Sequence, residues 1–281
     1  SSCDIVFFDG AGTSTLSGIK DFRGKNGIYK MDLDISPEYL LSINCLENNP
    51  FLFYDFYKSN LNCLDATPNI IHEYLKCLDN QNKLRCVITQ NIDGLHKRAG
   101  LTNVLELHGT IYKNHCMKCG KEYEASYVFS NHDIPVCSCG GIIRPDVVLY
   151  GESLTEDYDE AIKVVSSCET LIVAGSSLTV NPAASLVSLF NGKNLIILND
   201  NVTPYDRCAT LVIHDDLKNI FIDALLYNND AYFEDNQVTG GNSTDKAILT
   251  FVGKIPLTKK IEDKIQFNSE NKLYFFPSNF S

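Results

Sequence analysis

No stretch of this chain reaches the roughly 18 consecutive apolar residues that a membrane-spanning helix needs, so no membrane partner is expected. The amino terminus shows none of the basic, then apolar, then small-residue order of a secretion signal. Positive charge is also in short supply: Lys and Arg number 24 against 35 Asp and Glu, for a net charge of −11. Phosphate backbones are held by clustered cations, so direct nucleic-acid binding is not expected and the partners should be proteins or small molecules. What the chain does have is length and apolar content. Its 281 residues, 44% of them hydrophobic, suffice for one large domain with a smaller module. Eleven cysteines could staple a secreted scaffold, but without a secretion signal they read as reduced thiols and metal ligands in a cytoplasmic setting.

The chain is organised around the stretch from Asp9 to Arg23, which follows the apolar run Ile5 to Phe8 without a linker. A strand running straight into Gly10-Ala11-Gly12 makes a turn suited to a phosphate, because glycines let the backbone come close and amides at a helix start supply donors. The full dinucleotide fingerprint adds a third glycine, at position 15, where Thr15 stands, and a carboxylate about 20 residues on. Neither is present as expected, and two glycines after a strand serve an ordinary tight turn equally well.

Three pieces downstream carry helix-start signals: Pro37 to Cys45, Pro50 to Leu61 and Pro68 to Leu78, the last with Ile71, Tyr74, Leu75 and Leu78 on one face. Short, unalternated apolar runs then recur at Leu84 to Thr89, Leu171 to Ala174, Leu195 to Leu198 and Leu211 to Ile213, as expected of parallel strands covered on both faces. A helix-like stretch from Thr155 to Cys168 precedes the last three. Each run ends in polar residues: Gln90-Asn91-Ile92-Asp93, Gly175-Ser176-Ser177, Asn199-Asp200-Asn201 and His214-Asp215-Asp216. In doubly wound sheets that edge binds ligands, although the first of these clusters could instead cap a helix beginning near Gly94. Asn103 to His108 is a further strand that delivers one histidine at its end, a position where histidine is more often structural than catalytic.

Cys116 and Cys119 form one close pair and Cys137 and Cys139 another, with seventeen residues between the pairs. Four thiolates so spaced match one tetrahedral, structural Zn2+ site on a small ribbon. Four protein ligands leave no open position for an activated water, so the metal holds structure. The remaining cysteines, Cys3, Cys45, Cys63, Cys77, Cys86, Cys168 and Cys208, lie in or near apolar segments and should pack as small hydrophobes.

Taken together, Gly10-Ala11-Gly12, Ser14, Ser17-Gly18-Ile19, Asp21-Phe22-Arg23, Gln90-Asn91-Ile92-Asp93, Leu107-His108-Gly109 and the four cysteines resemble the sirtuins, the NAD-dependent protein lysine deacylases, and in particular their bacterial-type members. Lys20 stands where the usual signature has proline. The likeness spans roughly residues 3 to 227. It implies a Rossmann-like, doubly wound parallel α/β sheet with a zinc-ribbon module at about 112–146 and a helical insert at about 26–79, in a catalytic domain of residues 1–227.

The resemblance also implies roles. His108 would be the general base and Asn91 its companion in catalysis. Gly10, Ala11, Gly12, Ser14, Asp21, Phe22, Arg23, Gln90, Asn91, Ile92, Asp93, Gly175, Ser176, Ser177, Asn199, Asp200 and Asn201 would hold NAD, with Leu217 giving a backbone contact to adenine. Val147, Val148, Leu149, Tyr150, Gly151 and Glu152 would offer backbone to an acylated-lysine peptide by strand addition. The products would be nicotinamide, free lysine and O-acyl-ADP-ribose. An NAD-sensing module without turnover, and mono-ADP-ribosyl transfer or NAD hydrolysis, are the alternatives.

Acyl preference is read from the segment Phe53 to Lys58. Members that remove acidic acyl groups place Tyr and, three residues on, Arg there. Here Tyr54 fits, but Tyr57 replaces the Arg, so apolar acyl groups are expected in a channel lined by Phe53, Tyr54 and Phe56, with Lys58 as a rival cation. Residues 228–281 match no sirtuin motif and are expected to form an appendage, joined through Gly240-Gly241, with a strand at Ala247 to Val252.

Overall fold

The computed structural model describes residues 4–24, 27–31, 34–227, 231–234 and 237–240. The expected strand at Ala247 to Val252 lies outside the described residues. In chain order the elements are β1 (Ile5–Asp9), α1 (Pro37–Leu40), α2 (Ile43–Asn48), α3 (Pro50–Leu61), α4 (Ile70–Asn80), β2 (Leu84–Thr89), α5 (Leu95–Arg98), β3 (Val104–Glu106), β4 (Gly109–Cys116), β5 (Glu122–Glu124), α6 (Ala125–Ser130), β6 (Ile143–Val147), α7 (Asp157–Ser167), β7 (Thr170–Ala174), β8 (Asn194–Leu198), β9 (Leu211–Ile213), α8 (Leu217–Tyr227), β10 (Ala231–Glu234) and β11 (Gln237–Gly240).

Six parallel strands form the main sheet in the order β3-β2-β1-β7-β8-β9. Alternate residues of β1 go to opposite faces. Phe7 joins α4 and α8, through Ile71, Leu75, Leu78, Phe221 and Ile222. Val6 and Phe8 join α7 and the 3₁₀ segment Ala183–Leu189, through Ala161, Val165, Leu186 and Val187. Both faces are therefore dry, which is why the strands read as unbroken apolar runs. Strand order reverses between β1 and β7, so the loops after these two strands meet at the sheet's switch point, where open α/β sheets open a crevice.

A second core joins the helical block to the cysteine module. Leu46, Phe53, Tyr54, Phe56 and Tyr57 pack with Ile111, Cys116, Val128, Ile143 and Val147. The Tyr57 ring stacks between Phe53 and Phe129, at 5.5 and 5.4 Å between centroids. The module itself is an antiparallel sheet, β5-β4-β6.

Three boundaries differ from the sequence reading. The helix expected over Pro37 to Cys45 is two helices, because Ser42 accepts a hydrogen bond from the Cys45 amide and caps α2, while the Leu41 carbonyl and Ile43 amide bond the backbone of Tyr150. Pro68 does not start α4. Asn69 does, in a capping box with His72 that satisfies amides at the helix end. The strand before His108 ends at Glu106, and His108 sits in the turn beyond it. In the tail, β10 and β11 form an antiparallel hairpin of their own, with Ala231 opposite Gly240, which therefore closes a strand and is not a linker residue.

Candidate active site

A cleft of about 580 Å³ runs along the carboxyl edge of the main sheet and under the segment from β6 to α7. Its walls bring together almost every residue singled out from the sequence: Gly10, Ala11, Gly12, Ser14, Asp21, Phe22, Arg23, Gln90, Asn91, Ile92, Asp93, His108, Val147 through Glu152, Gly175, Ser176, Ser177, Asn199, Asp200 and Asn201. They come from five strand ends and two loops more than 190 residues apart in sequence, so only the parallel topology assembles them.

Gly10 and Gly12 are glycine for a reason the motif alone does not show. A Cβ on Gly12 would stand 2.7 Å from the Gly175 Cα, and one on Gly10 would stand 3.0 Å from the Gly175 carbonyl oxygen. The two switch-point loops are thus interlocked backbone to backbone, with the Gly12 amide donating to the Gly175 carbonyl at 2.9 Å. Gly175 has φ +59°, in the left-handed region that favours glycine. The amides of Gly10, Gly12 and Thr13 are bonded within the fold, which leaves Ala11 as the amide of this turn that is not so engaged.

Next to this turn stand Asn91, whose Nδ2 donates to the Gly10 carbonyl at 3.1 Å, Asp93 and His108. The His108 Nδ1 donates to the Gln90 carbonyl at 2.8 Å, which leaves Nε2 as the unprotonated nitrogen of the neutral ring. Burial pushes this imidazole below its ordinary pKa, against a smaller opposing effect of the Gln90 carbonyl, so the ring is neutral at pH 7. Gln90 is itself anchored across the switch point, its amide donating to the Ser176 hydroxyl at 2.9 Å and the Asp9 carbonyl at 3.2 Å. Burial pushes the Asp93 carboxyl up, opposed by hydrogen bonds from the Ser14 hydroxyl at 2.6 Å and the Leu95 amide at 2.9 Å.

The segment Val147 to Glu152 is held from both sides. Arg144 and Glu152 form a fork-to-fork pair at 2.7 and 2.9 Å, Arg144 also donates to the Val147 carbonyl, and Glu152 accepts from the Leu149 amide. The amides of Val148 and Tyr150 bond His108 and Leu41, so three successive donors of this segment are already used inside the fold. Tyr29, from the loop that carries Phe22 and Arg23, meets the Tyr150 hydroxyl in a hydrogen bond and carries the Arg23 guanidinium over its ring at 4.6 Å.

Five expected contacts are not in the cleft: Phe53, Tyr54, Phe56, Tyr57 and Leu217. Tyr54 and Tyr57 are buried in the second core, Tyr54 donating its hydroxyl to the Ile143 carbonyl. Leu217 is buried against the main sheet at the start of α8. The helical block instead contributes Leu41, Leu61 and Cys63 to the walls, and Ile19, Lys20, Lys30, Leu154, Val180, Asn181, Pro182 and Val202 complete them. Leu61 closes α3 and Ile19 and Lys20 lie within the first signature, whereas most of the others lie in irregular segments that no periodicity or motif spacing announces.

Away from the cleft, the Sγ atoms of Cys116, Cys119, Cys137 and Cys139 all lie within 4.8 Å of one another, with Cys116 to Cys139 at 3.5 Å and Cys119 to Cys137 at 3.6 Å. A tetrahedron with Zn–S bonds of about 2.3 Å has edges of about 3.8 Å, so the four thiols fit one Zn2+. No other group of three or more metal-binding side chains occurs among the described residues.

Comparison with known proteins agrees with this geometry. Residues 10–182 match the family described as the Sir2 family. A protein of Cutibacterium acnes named NAD-dependent protein deacetylase is 47% identical over 219 residues, covering 77% of this chain and 90% of that one. One of Staphylococcus epidermidis with the same name is 49% identical over 223 residues, covering 78% and 90%. Among solved structures, a Sir2–p53 peptide–NAD+ complex superposes with a TM-score of 0.71 at 37% identity, covering 79% of this chain and 91% of that one. A Sir2 bound to an acetylated peptide gives 0.69 at 36% identity, with the same coverage. A sheet whose switch point assembles the cleft, a four-thiol module beside it and this degree of shared sequence place the chain in the Sir2 family.

Proposed function

We propose that this chain is an NAD-dependent protein lysine deacetylase. The observation that carries the reading is the meeting of Asn91, Asp93 and a neutral, oriented His108 with the glycine-rich switch point in one cleft. NAD, when bound, supplies a ribose carbon open to attack and a nicotinamide leaving group. The chain's own residues do the rest. Asp93 and Ile92 hold the carboxamide, Gln90 and Asn91 orient the nicotinamide ribose, and Phe22 covers the reacting face. Ala11, Ser14 and Arg23 with Ser176, Ser177 and Asn199 to Asn201 hold the diphosphate and adenosine. The Nε2 of His108 takes the proton of a ribose hydroxyl as the acyl group passes to it. Incubation with an acetyl-lysine peptide should unmask lysine only when NAD is present, as read by mass spectrometry. NAD-independent lysine release would refute the assignment.

Acyl preference follows from what faces the cleft. Phe53, Tyr54, Phe56 and Tyr57 do not line it, and the Lys58 ammonium is committed to the carbonyls of Asn131, at 2.7 Å, and Asp133. The wall that the helical block offers is apolar, from Leu41, Leu61 and Cys63, and faces Ile92 and Val147. The cleft's cations, Lys20, Arg23 and Lys30, all belong to the loop at its cofactor side. An acidic acyl group would be desolvated there without a counter-charge, so succinyl-lysine should show kcat/KM at least about 30-fold below acetyl-lysine, while longer apolar chains gain from each buried methylene. Equal rates on acetyl and succinyl peptides would contradict this.

The domain boundary is also part of the reading. Leu217, Phe221 and Ile222 of α8 complete the main core, and the β10–β11 hairpin is a sheet of its own. A chain truncated after Asn229 should fold with its melting temperature within a few degrees of the full chain's and should deacetylate short peptides. Loss of either property would make the tail part of the catalytic unit. Among the described residues none of the ten cysteines is in a disulfide, which supports a reducing, cytoplasmic setting.

A further inference from the structure

Two histidine–carboxylate pairs stand beside the carboxyl edge of the main sheet without lining the cleft. One, His96 with Asp9, is buried where β1 meets the glycine turn. The other, His214 with Asp206, includes the histidine of the polar cluster that ends β9, which neither the cofactor nor the peptide site uses. The His214 Nε2 stands 2.9 Å from the Asp206 Oδ2, and its Nδ1 3.0 Å from the Asn199 carbonyl oxygen. Asp206 also accepts from the Thr203 hydroxyl at 2.6 Å and from the Thr203 amide at 3.2 Å. Burial works against charge on Asp206, but these hydrogen bonds together outweigh it and hold the carboxyl below its ordinary pKa, so it is an acceptor at pH 7. A carboxylate can only accept, so the contact with His214 is a donation from Nε2–H. The charged ring makes it, and so does the neutral ring protonated at that nitrogen.

A lip of the cleft hangs on this contact. Asn199, Asp200, Asn201 and Val202 line the cleft between the end of β8 and Thr203. The first leg of the loop is tied to the sheet by the Asn199 amide, which donates to the Ile213 carbonyl at 3.1 Å. Bonds within the lip are local, from the Asn199 side-chain amide to the Asn201 carbonyl at 2.8 Å and from the Asn201 amide to the Asp200 carboxylate at 2.7 Å. They shape the lip without anchoring it. The second leg is a tight turn in which Asp206 holds the buried Thr203 by two bonds, and the Tyr205 ring packs against the core of the sheet. Tyr205 keeps the turn folded. His214 reaches that turn from the end of β9 and so sets where Thr203, and the lip that runs up to it, stands relative to the sheet.

We propose that His214 is a positioning residue for NAD: acting through Asp206 and Thr203, it sets the lip Asn199 to Val202 against the adenosine of the cofactor. The inference rests on the assignment of Asn199 to Asn201 to that part of NAD. His214 touches neither substrate and sets only the place of residues that do. Adenosine takes no part in bond making, so contacts to it count equally before and in the transition state, and their loss should appear in affinity and not in turnover.

The test is a set of variants of the full chain, assayed for kcat and peptide KM with an acetyl-lysine peptide and for the dissociation constants of NAD and of ADP-ribose, which lacks the nicotinamide. His214→Phe keeps a planar ring and removes both contacts. It should weaken NAD and ADP-ribose alike by about 5- to 20-fold, somewhat less than the full loss of a hydrogen bond to a charged group because Tyr205 still holds the turn, with kcat at saturating NAD and peptide KM within about twofold of the parent. His214→Gln places an amide donor where Nε2 stands and should keep both affinities within about twofold, whereas His214→Asn, whose donor reaches only as far as Nδ1, should behave like His214→Phe. Parental ADP-ribose affinity in His214→Phe, a loss confined to NAD, or a glutamine variant no better than the asparagine one would overturn the proposal. If His214→Phe does not fold, the contrast between His214→Gln and His214→Asn decides alone. Asn199→Ala keeps the two readings apart: weakened ADP-ribose binding by Asn199→Ala beside parental binding by His214→Phe overturns only this inference, and parental binding by Asn199→Ala overturns the placement of adenosine on this lip.

Discussion

Replacing His108 by alanine should lower kcat by 100- to 10,000-fold, the range for a lost general base, and leave the fold and NAD affinity nearly intact. The structural reason is specific. His108 holds its ring through one hydrogen bond, from Nδ1 to the Gln90 carbonyl at 2.8 Å, and no strand or helix relies on it. Its removal therefore takes away the Nε2 lone pair and little else. The same geometry fixes the pH dependence. A base must be neutral, and burial lowers the pKa of this imidazole, so kcat should rise with pH through an acid limb below the ordinary histidine value and then level off. A limb at or above that value, or an alanine variant that keeps most of its turnover, would remove His108 from the role.

The second large effect is expected at the cysteine module. Changing Cys137 or Cys116 to serine should abolish zinc binding and lower stability and activity together. Structural zinc in small modules contributes apparent binding free energies of about 10–16 kcal/mol, and here the module is not an isolated appendage. Cys116 and Cys137 themselves pack in the second core with Phe53, Tyr54 and Tyr57 of the helical block, and β6 leads directly from the module into the segment Val147 to Glu152, which we propose binds the peptide. Loss of the metal should consequently raise the KM for peptide before it affects NAD binding. Metal content by elemental analysis, with melting temperature and peptide KM on the same samples, checks this. A zinc-free variant with parental stability and KM would contradict the structural assignment.

How much of this was legible beforehand depends on what each residue had to do. The parallel strands showed themselves because both faces of the sheet are buried, so β1, β2, β7 and β8 are apolar apart from Asp9, Arg85, Thr89, Thr170 and Asn194. The cleft's polar residues were found because doubly wound sheets put them just after those runs. Tyr54 and Tyr57 lie outside the cleft because α3 is buried on more than one side, between α1, α2 and the cysteine module, and with only a narrow exposed stripe at Asp55 and Ser59 its aromatic positions do not reveal which flank opens to a ligand. Leu217, named for a backbone contact, buries its side chain in the main core at the start of α8. The Asp9–His96 pair was out of reach altogether. Its members lie 87 residues apart, and Asp9 stands where it reads as the end of a strand before a glycine turn.

The central claim is that one cleft couples breakage of the nicotinamide bond to removal of the acyl group. The measurement that tests it most directly is the stoichiometry of three products, nicotinamide, unmodified lysine peptide and O-acetyl-ADP-ribose, followed together by mass spectrometry with NAD in excess over an acetyl-lysine peptide. The structure predicts a ratio of one to one to one at every time point, with no nicotinamide formed when the peptide is left out. Nicotinamide released without peptide, or lysine unmasked with free acetate in place of O-acetyl-ADP-ribose, would contradict it.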